Sequence, residues 1–103
     1  MSEEVPLLRV LEVLANAQRL EILRKLKTPG SFPPQEEGDP LVDGVCVSSI
    51  QAGQGLAFST TSKYLADLAS VGLVIVKRSG RWSYYRRDER AIAALGRRMG
   101  SEL

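Results

Sequence analysis

The hydrophobic period of this chain switches from helical to strand-like at Gly72, and no other feature restricts its fold as much. Ahead of the change, in FSTTSKYLADLASVG, the residues Thr61, Leu65, Leu68 and Gly72 are spaced by four, three and four, which places them on one side of a helix. Gly72 is the expected stop, because glycine enters the left-handed conformation of a helix C-terminus without a steric cost. Behind it, Leu73 to Arg78 is rich in β-branched residues, and Arg81-Trp82-Ser83-Tyr84-Tyr85-Arg86 returns as a second strand. Ser79-Gly80 is the expected two-residue turn between them. Arg78 and Arg81 then flank the tip of a hairpin, where like charges facing each other repel.

The helix opens in a way that packing does not require. Ser59 reads as its N-cap. The run Ser59-Thr60-Thr61-Ser62-Lys63-Tyr64 then puts four small hydroxyl residues, a lysine and a tyrosine into its first turns.

Other helices surround this one. Val5 to about Ala15 carries apolar residues at Val5, Leu8, Leu11 and Leu14, with Leu7 and Val10 widening the stripe. Asn16 caps a second helix that runs to about Lys27, whose buried side uses Leu20, Leu23 and Ile22 or Leu26. Thr28-Pro29-Gly30 ends it, since proline cannot continue a helix and disfavours helical geometry in its predecessor. Val45 to about Gly53 is a short, weakly helical segment with Ser48 or Ser49 as its cap, and Leu56-Ala57-Phe58 is a turn. Asp88 caps a last helix that ends near Gly100 and carries the stripe Ile92, Leu95 and Met99. Residues 28–44, TPGSFPPQEEGDPLVDG, hold four of the five prolines, four acids and no base. They read as a long acidic, Pro-rich loop inserted within a single domain spanning residues 1–103.

Composition excludes several kinds of chemistry. There is no histidine, and Cys46 is the only cysteine. A Ser-His-Asp or Cys-His site within one chain is therefore excluded, and so is an internal disulfide. A reducing cytoplasm is the simplest location. Apolar runs such as Leu73-Val74-Ile75-Val76 are far too short to span a bilayer, so no membrane partner is expected. The acidic start (Glu3, Glu4) does not resemble a signal peptide. Charge is distributed unevenly: residues 45–103 carry nine basic side chains against four acidic ones, and the hydroxyl run lies in this basic part. Such asymmetry suits a polyanionic partner.

The order of parts is helix, helix, loop, helix, turn, helix, hairpin, helix. This is a mainly α fold with a β-hairpin, a winged helix-turn-helix of about five helices plus a two-stranded wing. In that arrangement the second helix of the pair enters the major groove with its N-terminal residues against base edges. Small hydroxyl side chains allow close approach and can donate or accept at bases and phosphates. The helix N-terminus adds N–H groups and a partial positive charge. The residues expected at double-stranded DNA are Ser59, Thr60, Ser62, Lys63 and Tyr64 on the helix and Lys77, Arg78 and Arg81 on the wing, with Arg86 and Arg87 at its exit. A basic tip can follow the backbone or enter the minor groove. Phe58, Trp82 and Tyr84 are expected to pack, Tyr64 can pack its ring with its hydroxyl exposed, and Arg97 and Arg98 are expected on an exposed helix face.

Three segments, LANAQRLEILRKL, VSSIQAGQGLAFSTTSKYLADLASVGLV and VKRSGRWSYYRRDE, resemble ArsR-type winged-helix transcription regulators. The resemblance covers most of residues 7–95 and is most specific from Ser59 to Val74. It implies a homodimer built by the first and last helices, here through Leu7, Leu8, Leu11, Ile92, Leu95 and Met99, and repression of a promoter as the usual output. Half-sites for such a dimer lie one DNA turn, ~34 Å, apart. Many members sense a metal through a cysteine-rich motif on the first helix of the helix-turn-helix. Here Cys46 matches the first of them, but Ser48 stands where the second would be, and no histidine exists for a site on the last helix. No cofactor is expected; a metal effector stays open, without the usual Cys/His ligands, and Cys46 reads as a small, partly buried residue.

The rival readings are a protein-interaction module, or a DNA-binding subunit that relies on a separate sensory protein. Enzymatic activity lacks candidate residues.

Overall fold

The computed structural model describes residues 5–103, so Glu3 and Glu4 lie outside it. The elements are helices α1 (Leu7–Leu14) and α2 (Ala17–Lys25), strand β1 (Val45–Cys46), helices α3 (Val47–Gln54) and α4 (Phe58–Ser70), strands β2 (Val74–Ser79) and β3 (Trp82–Arg87), and helix α5 (Glu89–Glu102). Among the described residues no helix is long and apolar enough to cross a membrane.

The core lies between α2, α3, α4 and the sheet. Ile22, Ile50, Leu65 and Leu68 are fully enclosed there, with Val13, Val45 and Leu73 around them. The expected Asn16 cap is present: its Oδ1 accepts from the backbone N–H groups of Gln18 and Arg19, both at 3.0 Å. Asp88 caps α5 in the same way, accepting from Ala91 N–H at 3.1 Å. Two apolar stripes differ from expectation. In α1 the core takes Val10 and Val13, whereas Leu8 is 70% exposed. In α2 it takes Ile22, Leu23 and Leu26 and leaves Leu20 largely outside. Both helices are apolar over more than one side, and a single core can cover only one of them.

α4 starts two residues earlier than expected. Ala57, not Ser59, is its N-cap, and no side chain caps it. Thr61 donates its hydroxyl to the Ala57 carbonyl at 3.1 Å, which lets a polar side chain sit fully buried on the packing face. The helix stops as expected. Gly72 adopts φ +79°, its N–H reaches the Ala69 carbonyl, and Leu73 N–H reaches that of Leu68.

The sheet has three strands in the order β1-β3-β2, one more than the two-stranded wing expected. β1 pairs Val45 with Tyr85 and Cys46 with Tyr84, so the weakly helical start at Val45 is a strand, and Cys46 rather than Ser48 or Ser49 precedes α3. In the hairpin Ser79 faces Trp82, which makes Gly80-Arg81 the turn, one residue later than expected. Arg78 therefore faces Ser83 and not Arg81, and its Nη1 donates to Ser83 Oγ at 2.7 Å. The expected repulsion between Arg78 and Arg81 across the strands is absent.

Residues 28–44 are irregular but packed. Pro29–Ser31 form a 3-10 turn, and Phe32 is buried in the core. The Gln35 side chain donates to the Gly44 carbonyl at 3.2 Å and accepts from Cys46 N–H at 2.9 Å. Gly38 and Gly44 both have positive φ, and a Cβ on either would lie 2.7 Å from Tyr84 or from the Tyr85 backbone. Only glycine lets the segment close onto β3 at both places.

Candidate nucleic-acid interface

A groove of about 430 Å³ separates the start of α4 from the wing. Phe58, Ser62 and Ala66 form its helical side, and Arg78, Arg81 and Trp82 its other side. Two strand residues that face each other share a side of the sheet, so Arg78 and Ser83 both turn toward α4. Arg81 lies with its guanidinium carbon 5.1 Å from the centre of the Trp82 ring, which holds the charge at the wing tip.

The hydroxyl run divides by helical angle. Thr61 is enclosed, Ser59 is exposed, and Thr60 and Ser62 are half-exposed. Lys63 extends into solvent and pairs with Asp67 one turn later at 2.5 Å. Asp67 also receives Arg19 Nη1 at 3.3 Å. Because α4 has no side-chain cap, its first N–H groups are left for a ligand or water. Leu65 and Leu68 hold the other side of the helix in the core, so its front is presented rigidly.

The structure thus brings Ser62, Arg78 and Arg81 to one groove, with Ser59, Thr60 and Lys63 on the same exposed end of α4. Tyr64 packs its ring against the core, and the Arg19 guanidinium lies 5.3 Å from the ring centre. Lys77 is not part of the groove. It faces Tyr84 in the ladder, on the other side of the wing, and its ammonium pairs with Asp43 of the acidic segment. Arg87 is also directed elsewhere, to Glu89 at 2.8 Å and to the Leu23 carbonyl at 3.1 Å.

Three residues of this region were not legible as surface groups. Phe58 was expected to pack but is 54% exposed at the groove. Trp82 was expected to pack, and it also lines the groove; Ser83 is the partner of Arg78. Arg19 is a fourth omission: its Nε donates to the Val13 carbonyl at 2.6 Å, so one side chain ties α1, α2 and α4 together. Its partner Asp67 is 48 positions away, and no local pattern announces the pair.

A second surface is formed by α1 and α5. Leu7, Leu8 and Leu11 lie along α1, and α5 has no buried residue although Ile92, Leu95 and Met99 form an apolar stripe. Ile92 and Leu95 touch the core at its edge, while Met99 is 38% exposed. Arg98, expected on an exposed face, is half-buried and donates to the Val5 carbonyl at 2.8 Å, which fixes α5 against the start of α1. Cys46 is buried, with its Sγ 3.6 Å from Ser49 Oγ. Among the described residues no three His, Cys, Asp or Glu side chains gather where they could hold a metal ion.

No protein-family model matches the chain. It is 40% identical over 97 residues to the uncharacterized HTH-type transcriptional regulator YbzH of Bacillus subtilis, covering 93% of this chain and 97% of that protein. It is 33% identical over 82 residues to a Halobacterium salinarum protein that bears the name arsenical resistance operon repressor ArsR2, covering 80% of this chain and 59% of that one. Among solved structures, the homodimeric winged helix-turn-helix DNA-binding domain of Mb0332 from Mycobacterium bovis, described as a possible ArsR-family regulator, matches with a TM-score of 0.63 at 29% identity. That match covers 91% of this chain and 75% of the other. A hydroxyl-rich helix end facing a basic wing, with an alignment that runs through nearly the whole sequence, leads to one conclusion: the chain belongs to the ArsR-type family of winged helix-turn-helix transcription regulators.

Proposed function

We propose that the chain acts as a homodimeric, sequence-specific repressor that reads duplex DNA with the front of α4 and grips its backbone with the wing. The observation that carries this reading is the groove in which Ser62 and Phe58 face Arg78 and Arg81. Ser59, Thr60, Ser62 and Lys63 are short or flexible enough to reach base edges and nearby phosphates. Arg78 and Arg81 neutralise phosphates or enter the minor groove. Dimer formation is supported by the open leucine side of α1 beside the apolar stripe of α5, and two-fold related α4 helices then meet half-sites ~34 Å apart.

Genomic fragments selected with the purified protein supply an operator for the test. Ser62→Ala and Lys63→Ala should reduce the ratio of operator to random-DNA affinity, and the ratio staying at the wild-type value would count against base reading by α4. The reading includes no cofactor and places effector sensing on a separate sensory protein, with Cys46 as a buried thiol of the fold. A free thiol of this kind suits a reducing compartment.

A further inference from the structure

The two sides of the wing differ in charge. One side carries Arg78 toward α4. The other carries Lys77, and residues 28–44, with four acids and no base, lie against it. The segment is anchored there at several points. Phe32 is in the core, Gln35 bonds to Gly44 and Cys46, Gly38 is pressed on the Tyr84 ring, and Asp43 Oδ1 accepts from Lys77 Nζ. Asp43 is itself oriented, since its other oxygen accepts from Asp39 N–H at 2.8 Å. From this geometry we infer that Asp43 is a specificity-determining residue for DNA: it holds Lys77 on the protein and makes the wing attractive to phosphate on one side only.

The physical reasoning is as follows. Random duplex binds almost entirely through phosphate neutralisation, so every additional free cation on the wing favours random DNA over an operator. A carboxylate fixed on Lys77 competes with phosphate for that ammonium. If DNA displaces it, the freed Asp43 remains beside the duplex and repels it. Either course lowers the number of counterions released. Arg78 and Arg81, on the groove side, keep their role, so docking that engages α4 suffers less than docking in any other orientation. The hydrogen bond and charge of Lys77, together with the Asp39 N–H, also hold the Asp43 carboxyl below the usual carboxylate range.

This inference rests on the DNA-binding reading above, and one experiment separates the two. Anisotropy titrations of a random-sequence duplex and of a selected operator, over a series of salt concentrations, compare wild type, Asp43→Asn, Lys77→Gln, the double variant and Glu36→Gln. Asparagine preserves an acceptor for Asp39 N–H, and thermal melting confirms folding. The expected result for Asp43→Asn is random-duplex binding tightened about fivefold near 0.1 M salt, with a log–log slope steeper by roughly 0.9. Its gain on the operator should be smaller, so the specificity ratio falls. The gain should vanish in the Lys77→Gln background. Glu36→Gln, which removes the same charge from the same segment, should change binding less. If Asp43→Asn matches wild type, or gains as much without Lys77 as with it, the inference is overturned while the DNA-binding reading stands. If wild type binds no duplex at low salt, the DNA-binding reading itself fails. Should Asp43→Asn fail to fold, Lys77→Gln alone decides: little loss of random-duplex binding supports a lysine held on the protein, and a loss equal to that of Arg78→Gln contradicts it.

Discussion

Helices α4 and α5 have similar lengths and similar one-sided apolar stripes, but they end up in different situations. α4 places Thr61, Leu65 and Leu68 wholly inside the protomer, whereas α5 buries none of its residues. The first helix is finished by its own fold; the second still carries an uncovered apolar face. A helix whose stripe is fully buried can present its opposite side to a ligand without moving. In the proposed homodimer, a helix whose stripe is open is completed by a second surface, the leucine side of α1 and its symmetry mate. Under that proposal the difference separates a recognition element from an assembly element.

The largest expected effect breaks the first half of this comparison. Leu65→Ala or Leu68→Ala should cost about 3 kcal/mol of stability, because each empties an enclosed site in the core. Chemical denaturation gives the value, and a cost under about 1 kcal/mol would mean that α4 is not anchored as described. The next effect addresses the second half. Leu8→Glu combined with Met99→Glu should convert the dimer to a monomer in sedimentation and remove the concentration dependence of Tm. The same pair should leave the monomer's fold intact, since both side chains are already substantially exposed. A dimer surviving both charges would place the assembly surface elsewhere. The smallest effect concerns α2, the helix that packs against α4. Asn16→Ala should cost about 1 kcal/mol through loss of the α2 cap, with little change in DNA affinity.

Much of this architecture is legible in the sequence, and the exceptions share causes. The change of period at Gly72, the caps at Asn16 and Asp88 and the core stripe of α4 follow from local rules, and all are found. β1 is two residues long, too short for any alternation to show, and it exists because β3 offers an edge to pair with. The N-cap at Ala57 rather than Ser59 follows from the buried Thr61 hydroxyl taking the Ala57 carbonyl, a tertiary demand that overrides capping preference. Lys77 looked like a partner of Arg78, but adjacent strand residues point to opposite sides. That alternation was available in the sequence; the acidic segment on the far side was not, because its packing depends on Phe32, Gln35 and two glycines meeting distant residues.

The paired faces of the groove bear most directly on function. The decisive measurement is the salt dependence of duplex binding for wild type and for the Arg78→Gln/Arg81→Gln double variant. With both arginines on phosphates, the log–log slope should flatten by about 1.8 and affinity for operator and random DNA should fall together. An unchanged slope would contradict docking of the wing beside α4.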